Sequence, residues 1–152
     1  MILVVCNDDP ILLKKAQKQS NQDHEIFGDS FQINHYIPKL SIEENLFVTA
    51  HGAEKWESNN SVIGDKDGPL YYNGVDFYEG IKKIFPQNYK GNVYVSTCES
   101  ADHHLENFSF TETFRNVMAV DYPQVEVFGH LGDVNIDIPY PSDIDRWEKA
   151  TL

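Results

Sequence analysis

The sequence has 152 residues, of which 41% are hydrophobic and 12% aromatic, and its formal net charge is −12 at pH 7. This length and composition are typical of one folded domain and exclude a disordered chain. A surplus of 24 acidic over 12 basic residues would repel a phosphate backbone, so we expect no nucleic-acid binding. No apolar run approaches the about 20 residues of a membrane span, and residues 1–10 do not resemble a signal peptide, so we expect a cytoplasmic protein without membrane contact.

The N-terminal part of the chain predicts a buried strand followed by a helix. Residues 2–6, ILVVC, form a continuous apolar run, as expected of a strand covered on both faces. A helix is predicted over residues 10–22, because Asp8 or Asp9 can cap it and Pro10 suits its first turn. Two further strands are predicted at residues 31–37 and 45–50.

A long polar insert, residues 53–74, follows these strands. It is predicted to hold a hairpin whose arms, SVIG and PLYY, flank a turn at Asp65–Gly68. Apolar residues at helical spacing then predict a helix over residues 75–85, closed by Pro86. The remaining predictions are strands at 92–97 and 124–130, a candidate sixth strand at 134–140, a helix at 110–120, and a surface tail at 141–152 anchored by Trp147.

Strands that alternate with helices predict a single α/β domain over residues 1–152. Right-handed crossovers would place helices on both faces of a mostly parallel sheet, which makes a three-layer sandwich. In such sheets ligands bind beyond the carboxyl ends of the strands. The strand ends are therefore where a functional site is expected.

Two strand ends carry the groups of a cysteine nucleophile. The strand at 45–50 runs into His51–Gly52, and the strand at 92–97 runs into Cys98. If the two strands are neighbours, an imidazole and a thiol converge on one edge of the sheet. A nearby histidine can hold a thiolate as an ion pair or protonate a leaving amine. The amides of Gly52 and Cys98 can point at a developing oxyanion.

The order strand–His–Gly, hairpin insert, helix, strand–Cys resembles the caspase-like fold of clan CD cysteine peptidases. The segments VTAHGAE and VYVSTCESA are closest to the CHAT pattern, in which one strand ends in His-Gly and another in Ser-Ala-Cys-Glu-Thr-Gly. His51 precedes Cys98 by 47 residues, near the spacing of about 50 in caspases. The chain departs from the caspase motif Gln-Ala-Cys-x-Gly, because Thr97 replaces the usual alanine and Ala101 stands one place after the expected small residue.

The resemblance implies a cysteine endopeptidase acting through a His51/Cys98 dyad on a polypeptide substrate. The amides of Gly52 and Cys98 would form its oxyanion site. The family has a flavodoxin-like strand order at its core, and its chemistry requires no metal or organic cofactor. The oligomeric state stays open.

Four acidic residues near the same sheet edge suggest the substrate side chain that such a peptidase would prefer. Asp8, Asp9, Asp133 and Glu99 would suit a basic P1 residue, as in clostripain-like and gingipain-like peptidases. Caspases bind aspartate with arginines, and this chain has no arginine before Arg115, which disfavours aspartate specificity.

Less specific interpretations stay open for these residues. Cys98 can be an inert buried cysteine, as Cys6 is expected to be, and the aspartates can serve only as helix caps and turn residues. The alternative function is a catalytically inactive caspase-like or flavodoxin-like binding module, such as an adaptor or immunity-type protein.

Two aromatic and histidine motifs are ambiguous as well. Trp56 and the pair Tyr71–Tyr72 either line a groove or pack the hairpin onto the sheet. His103–His104 fits a solvated loop better than a metal site, because adjacent histidines on an extended chain point apart and no third ligand is evident.

Overall fold

The computed structural model describes residues 1–55, 60–98, 100–103 and 108–151 of a mixed α/β protein. The predictions for Trp56, Glu99 and His104 lie outside these residues. The strands are β1 (Ile2–Val4), β2 (Ser30–Gln32), β3 (Leu46–Thr49), β4 (His51–Lys55), β5 (Asn60–Gly64), β6 (Tyr71–Tyr72), β7 (Val93–Ser96), β8 (Val127–Gly129) and β9 (Glu148–Lys149). The α-helices are α1 (Pro10–Gln22), α2 (His24–Phe27), α3 (Gly74–Ile81) and α4 (Phe110–Met118), with 3-10 turns at Lys82–Ile84 and Ile144–Arg146.

Six strands form the central sheet in the order β2-β1-β3-β7-β8-β9. The first five are parallel to one another, and β9 pairs antiparallel with β8. The prediction of a mostly parallel sheet is therefore confirmed. Counted along the chain, the five parallel strands have the order 2-1-3-4-5 that occurs in doubly wound sheets, where the switch point lies between the first and third strands.

Helices cover both faces of this sheet and bury two apolar clusters. On one face, Val48 and Val95 belong to a cluster with Phe114 of α4. On the other face, Phe47 clusters with Leu12 of α1. The apolar run of residues 46–48 in β3 arises because this central strand contributes side chains to both clusters. No helix of the described residues is long and apolar enough to cross a membrane.

Helix α1 begins and ends where the sequence predicted. The side chain of Asp9 caps it, since its Oδ1 accepts the N–H of Leu12 at 3.0 Å. Pro10 occupies the first turn, where its missing N–H leaves no hydrogen bond unmade. The cap places Asp9 directly after β1, at the carboxyl edge of the sheet.

The candidate strand at 134–140 is wrong, and the sixth strand lies instead in the segment predicted as a surface tail. Residues 134–140 follow an irregular path, whereas β9 pairs Lys149 with Phe128 and Glu148 with Gly129. The apolar–polar alternation of 134–140 imitates a strand, but the backbone of Ile138 is bonded by the side chain of Gln19 rather than by a neighbouring strand. A two-residue strand such as β9 is too short to show a pattern.

The second predicted strand is also shorter than expected. It covers Ser30–Gln32 only, because the chain turns at once and the N–H of His35 donates to the carbonyl of Gln32. In the insert, β5 and β6 pair antiparallel around the indicated turn, with Gly64 opposite Tyr71. The sequence did not indicate β4, which makes this hairpin a three-stranded sheet.

Candidate active site

The two strand ends that carry His51 and Cys98 are neighbours. Strands β3 and β7 pair in parallel with Thr49 opposite Ser96. His51 and Cys98 each follow two residues beyond this last pair. The condition on which the sequence argument depended is therefore met in the sheet.

The backbone of Gly52 lies directly against the backbone of Cys98. A Cβ atom placed on Gly52 would overlap the carbonyl oxygen of Cys98 and would lie 3.3 Å from the backbone nitrogen of Cys98. Only glycine fits at this contact without a shift of one chain or the other. The residue next to His51 is thereby packed onto the candidate nucleophile.

A carboxylate contacts His51 on the side of the first strand. Nε2 of His51 is 2.6 Å from Oδ2 of Asp9, whose other oxygen caps α1. The two side chains remain 31% and 25% exposed. The contact joins the ends of β1 and β3, so it spans the switch point of the sheet.

The protonation of this pair follows from the carboxylate. The hydrogen bond from His51, together with that from the Leu12 amide, holds the pKa of Asp9 below its usual range. An ionised carboxylate only accepts hydrogen bonds, so Nε2 of His51 carries a proton. Nδ1, which has no hydrogen-bond partner among the described residues, is then the nitrogen that can exchange a proton with a thiol.

The contact between Asp9 and His51 is a feature that the sequence argument missed. From the sequence, Asp9 is expected either to cap α1 or to line a pocket for a basic side chain. The cap is present, and the second carboxylate oxygen is turned to the histidine. The available signal was the position of Asp9 beyond the end of β1, whose neighbour β3 leads to His51.

Replacing Asp9 by asparagine is expected to separate its two roles. Asparagine caps helices as well as aspartate does, so the free energy of unfolding should change little. The lost charge on the His51 contact should slow alkylation of Cys98 by iodoacetamide near neutral pH about tenfold, the effect of losing one charge-assisted hydrogen bond. Urea unfolding and alkylation followed by intact mass measure both effects.

The neighbouring substitution Asp8→Asn provides the control for that experiment. Asp8 is exposed and lies outside the His51 contact. Equal slowing in both variants would mean that general surface charge, and not the contact with His51, governs the thiol.

The sulfur of Cys98 contacts the backbone of Val134, in the segment after β8. The N–H of Val134 points at Sγ over 3.4 Å, and Sγ lies 3.7 Å from the Val134 carbonyl oxygen. Cys98 is half-buried, whereas Cys6 is fully buried, and both are free thiols. Burial raises the pKa of Cys6 to about 11, so Cys6 is the inert cysteine of the two.

The acidic residues predicted near the site lie in two separate clefts. Asp8 and Asp9 line one cleft, of about 420 Å³, together with Asp65, Lys66 and Asp67. Asp133 lines another, of about 400 Å³, beyond β8. The structure therefore does not gather them into one pocket.

A buried histidine beside the second cleft was not singled out by the sequence. His130 is 3% exposed, stacks on Trp147 with ring centroids 4.3 Å apart, and donates from Nδ1 to the carbonyl of Arg146 at 2.7 Å. Its Nε2 lies 3.3 Å from Oγ of Ser96. Burial lowers the pKa of His130 to about 4, so it is neutral at pH 7.

The pKa of His130 predicts a loss of stability in mild acid. Between pH 6.5 and about 4 the unfolded chain binds a proton that the folded chain excludes, so stability falls as the pH falls. The full effect is about 3 kcal/mol. Urea unfolding from pH 7 to pH 4 should show this slope, and His130→Gln should remove it. The exposed His35 serves as the control, since His35→Gln should leave the slope unchanged.

Two described residues of the ambiguous motifs, His103 and Tyr72, make contacts away from His51 and Cys98. His103 pairs with Glu112, with Nε2 2.5 Å from Oε1. Tyr72 packs on Phe77 with ring centroids 5.9 Å apart, which agrees with a hairpin packed onto α3.

Asp9, His51 and Cys98 thus follow three adjacent strands, β1, β3 and β7, at one edge of the sheet. A contact of 2.6 Å joins the first two, and the packing of Gly52 on Cys98 joins the second strand end to the third. Comparisons with protein-family models, with curated proteins and with solved structures found no match for this chain.

Proposed function

We propose that this protein is a cysteine endopeptidase of the caspase-like type, with Cys98 as nucleophile and His51 as acid and base. The observation that carries the proposal is the close packing of Gly52 on Cys98, which holds the histidine's strand end against the nucleophile's. The strand order and the hairpin between His51 and α3 support the resemblance to clan CD peptidases.

The reaction would proceed through an acyl-enzyme. The thiol proton passes to Nδ1 of His51, and Sγ of Cys98 bonds to the scissile carbonyl carbon. The amides of Gly52 and Cys98 hold the oxyanion. The C–N bond then breaks, His51 returns the proton to the leaving amine, and water hydrolyses the thioester to release the acyl group and restore the thiol.

Asp9 would act on this reaction through His51. Its ionised carboxylate fixes the tautomer and the orientation of the ring through Nε2 and stabilises the imidazolium that forms when Nδ1 takes the proton. Asp9 is thus a positioning residue, since it is the histidine that exchanges protons with the reacting groups.

A basic P1 residue suits the charge around this site. The cleft beside His51 is lined by one lysine, Lys66, and by four aspartates, Asp8, Asp9, Asp65 and Asp67. The chain also carries a net charge of −12, which attracts cationic peptides. In a library varied at P1, arginine and lysine should be cleaved faster than aspartate. Faster cleavage after aspartate would contradict the preference for a basic P1 residue but would still agree with a peptidase.

The proposal is tested by the rate at which iodoacetamide alkylates Cys98 between pH 5 and pH 9. Intact mass measures the labelling in the parent protein and in His51→Ala. We expect fast, single-site labelling at acidic pH that slows in the variant, because His51 holds the thiolate as an ion pair. Cys6 should stay unlabelled, since it is fully buried.

The exposed His35 supplies the matched control, His35→Ala, which should label like the parent. The dyad would be contradicted if labelling rose only near the free-thiol pKa of about 8.5 and did so equally in all three proteins. The chain would then be better described as a non-catalytic binding module.

A further inference from the structure

The segment of residues 131–138, which we call the strap, crosses the thiol of Cys98. Its contact is made by the backbone of Val134, whose N–H points at Sγ over 3.4 Å and whose carbonyl oxygen lies 3.7 Å from it. A backbone N–H and a backbone C=O are also the groups that a bound peptide presents to a cysteine nucleophile. The strap thus places its own peptide groups at the sulfur.

The strap is held at both ends by polar contacts. At its start, the N–H of Gly132 donates to Oδ1 of Asp102 at 2.9 Å. At its end, the amide of Gln19 bonds the backbone of Ile138 twice, donating to its carbonyl at 2.9 Å and accepting its N–H at 2.8 Å. The side chain of Ile138 is also buried in the second apolar cluster, so packing holds this end as well, although the strap pairs with no strand of the described residues.

The middle of the strap is packed lightly. Asp133, Asn135, Ile136 and Asp137 are exposed, and Val134 is half-buried against Cys98. Lys15 meets Asp137 at 3.5 Å, but both side chains are solvated, and such pairs add little stability. The part of the strap up to Asp137 can therefore lift from the thiol while Ile138 stays buried in the apolar core.

We propose that the strap is an autoinhibitory contact that must move before a substrate reaches Cys98. A near-attack geometry needs the scissile carbon at about 3–3.5 Å from the nucleophile, and Val134 already has backbone atoms at 3.4 and 3.7 Å from Sγ. The inference rests on the proposed peptidase function, for which it supplies the regulation. Any ligand or partner that binds the lifted strap would activate the site.

Loosening the strap at Gln19 tests this inference. Gln19→Ala removes both bonds to Ile138 while keeping a strong helix former in α1, and its matched control is Gln22→Ala, an exposed residue of the same helix. Cys98 is labelled with iodoacetamide and with a bulky maleimide–polyethylene glycol across pH. Hydrogen exchange over residues 131–138 reports whether the strap has loosened.

In Gln19→Ala we expect the bulky reagent to label Cys98 about tenfold faster at high pH, where the thiol is ionised. The reason is that the loss of two hydrogen bonds increases the fraction of molecules in which the strap is lifted. Iodoacetamide should gain less, because it needs less room. The double variant Gln19→Ala/Asp102→Ala, which removes both anchors, should label faster still. Gln22→Ala should match the parent.

The result that overturns the inference is faster exchange over 131–138 with unchanged labelling by the bulky reagent. Faster exchange over 131–138 in the double variant with an unchanged labelling rate would overturn it equally, since both polar anchors are then gone and only the buried Ile138 still holds the strap. Labelling requires no hydrolysis, so a gated thiol without peptide cleavage even in the double variant would refute the peptidase and leave the strap standing. Conversely, parent-like labelling with normal cleavage would refute the strap alone.

Discussion

Replacing His51 by alanine is expected to lower kcat/KM for a peptide with arginine at P1 about 10²–10⁴-fold, the usual contribution of a positioned acid and base. Cys98→Ala should abolish cleavage altogether, because no acyl-enzyme can form without the sulfur. A fluorogenic peptide measures both rates, and intact mass detects the acyl-enzyme in the parent.

The control variants for this experiment are Cys6→Ala and His35→Ala. Cys6 is fully buried and His35 lies on an exposed turn, so neither should alter the rate per folded molecule. Cleavage that survives in Cys98→Ala would contradict the assigned nucleophile. Parent-like cleavage in His51→Ala would contradict the acid and base.

Replacing Gly52 by alanine is expected to damage both the site and the fold. The new Cβ would overlap the carbonyl oxygen of Cys98, and inserting a methyl group into such a contact typically costs about 1–3 kcal/mol. A shift of the strand end would move His51 relative to Cys98, and a displacement of about 1 Å can lower a catalysed rate about 100-fold. Urea unfolding and peptide cleavage measure the two effects.

Gly80 provides the matched substitution for that prediction. It lies in α3, and its Cβ would meet only Cε1 of Tyr72 at 3.9 Å. Gly80→Ala should therefore leave activity intact and stabilise the helix by about 0.5–1 kcal/mol. Unchanged cleavage in Gly52→Ala would show that the contact with Cys98 does not align the site.

The parallel core of the fold was predictable because its signals are local and strong. Residues 46–48 are apolar because they face two clusters, and the Asp-Pro pair at the start of α1 marks its first turn. Strand β9 left no such trace, because two residues have no period and their pairing with β8 depends on distant parts of the chain. The alternation at 134–140 was misleading for the same reason: a pattern of side chains does not reveal whether a partner strand lies alongside.

The sequence could predict which residues of the candidate site share a sheet edge, because the strand ends determine this, but not the contacts between their side chains. Adjacent parallel strands bring residues at equal distance beyond their last pair to one edge, which is how His51 and Cys98 could be linked from sequence. The direction of an individual side chain is set by contacts the sequence does not display. In the sequence, Asp9 is therefore one of several loop carboxylates, and nothing indicates its contact with His51. Asp133 is expected at the same sheet edge, whereas in the structure it lines a separate cleft.

The two oxygens of Asp9 connect the chemistry of the site to the fraying of a helix. One oxygen accepts the amide of Leu12 in the first turn of α1, and the other contacts the ring of His51. A charge that forms on the imidazole draws the carboxylate tighter, and the same side chain then restrains the helix end. Amide exchange at Leu12 should consequently slow when Cys98 is trapped as a thiolate or an adduct that keeps His51 protonated, so the end of α1 reports the protonation of a ring in another element.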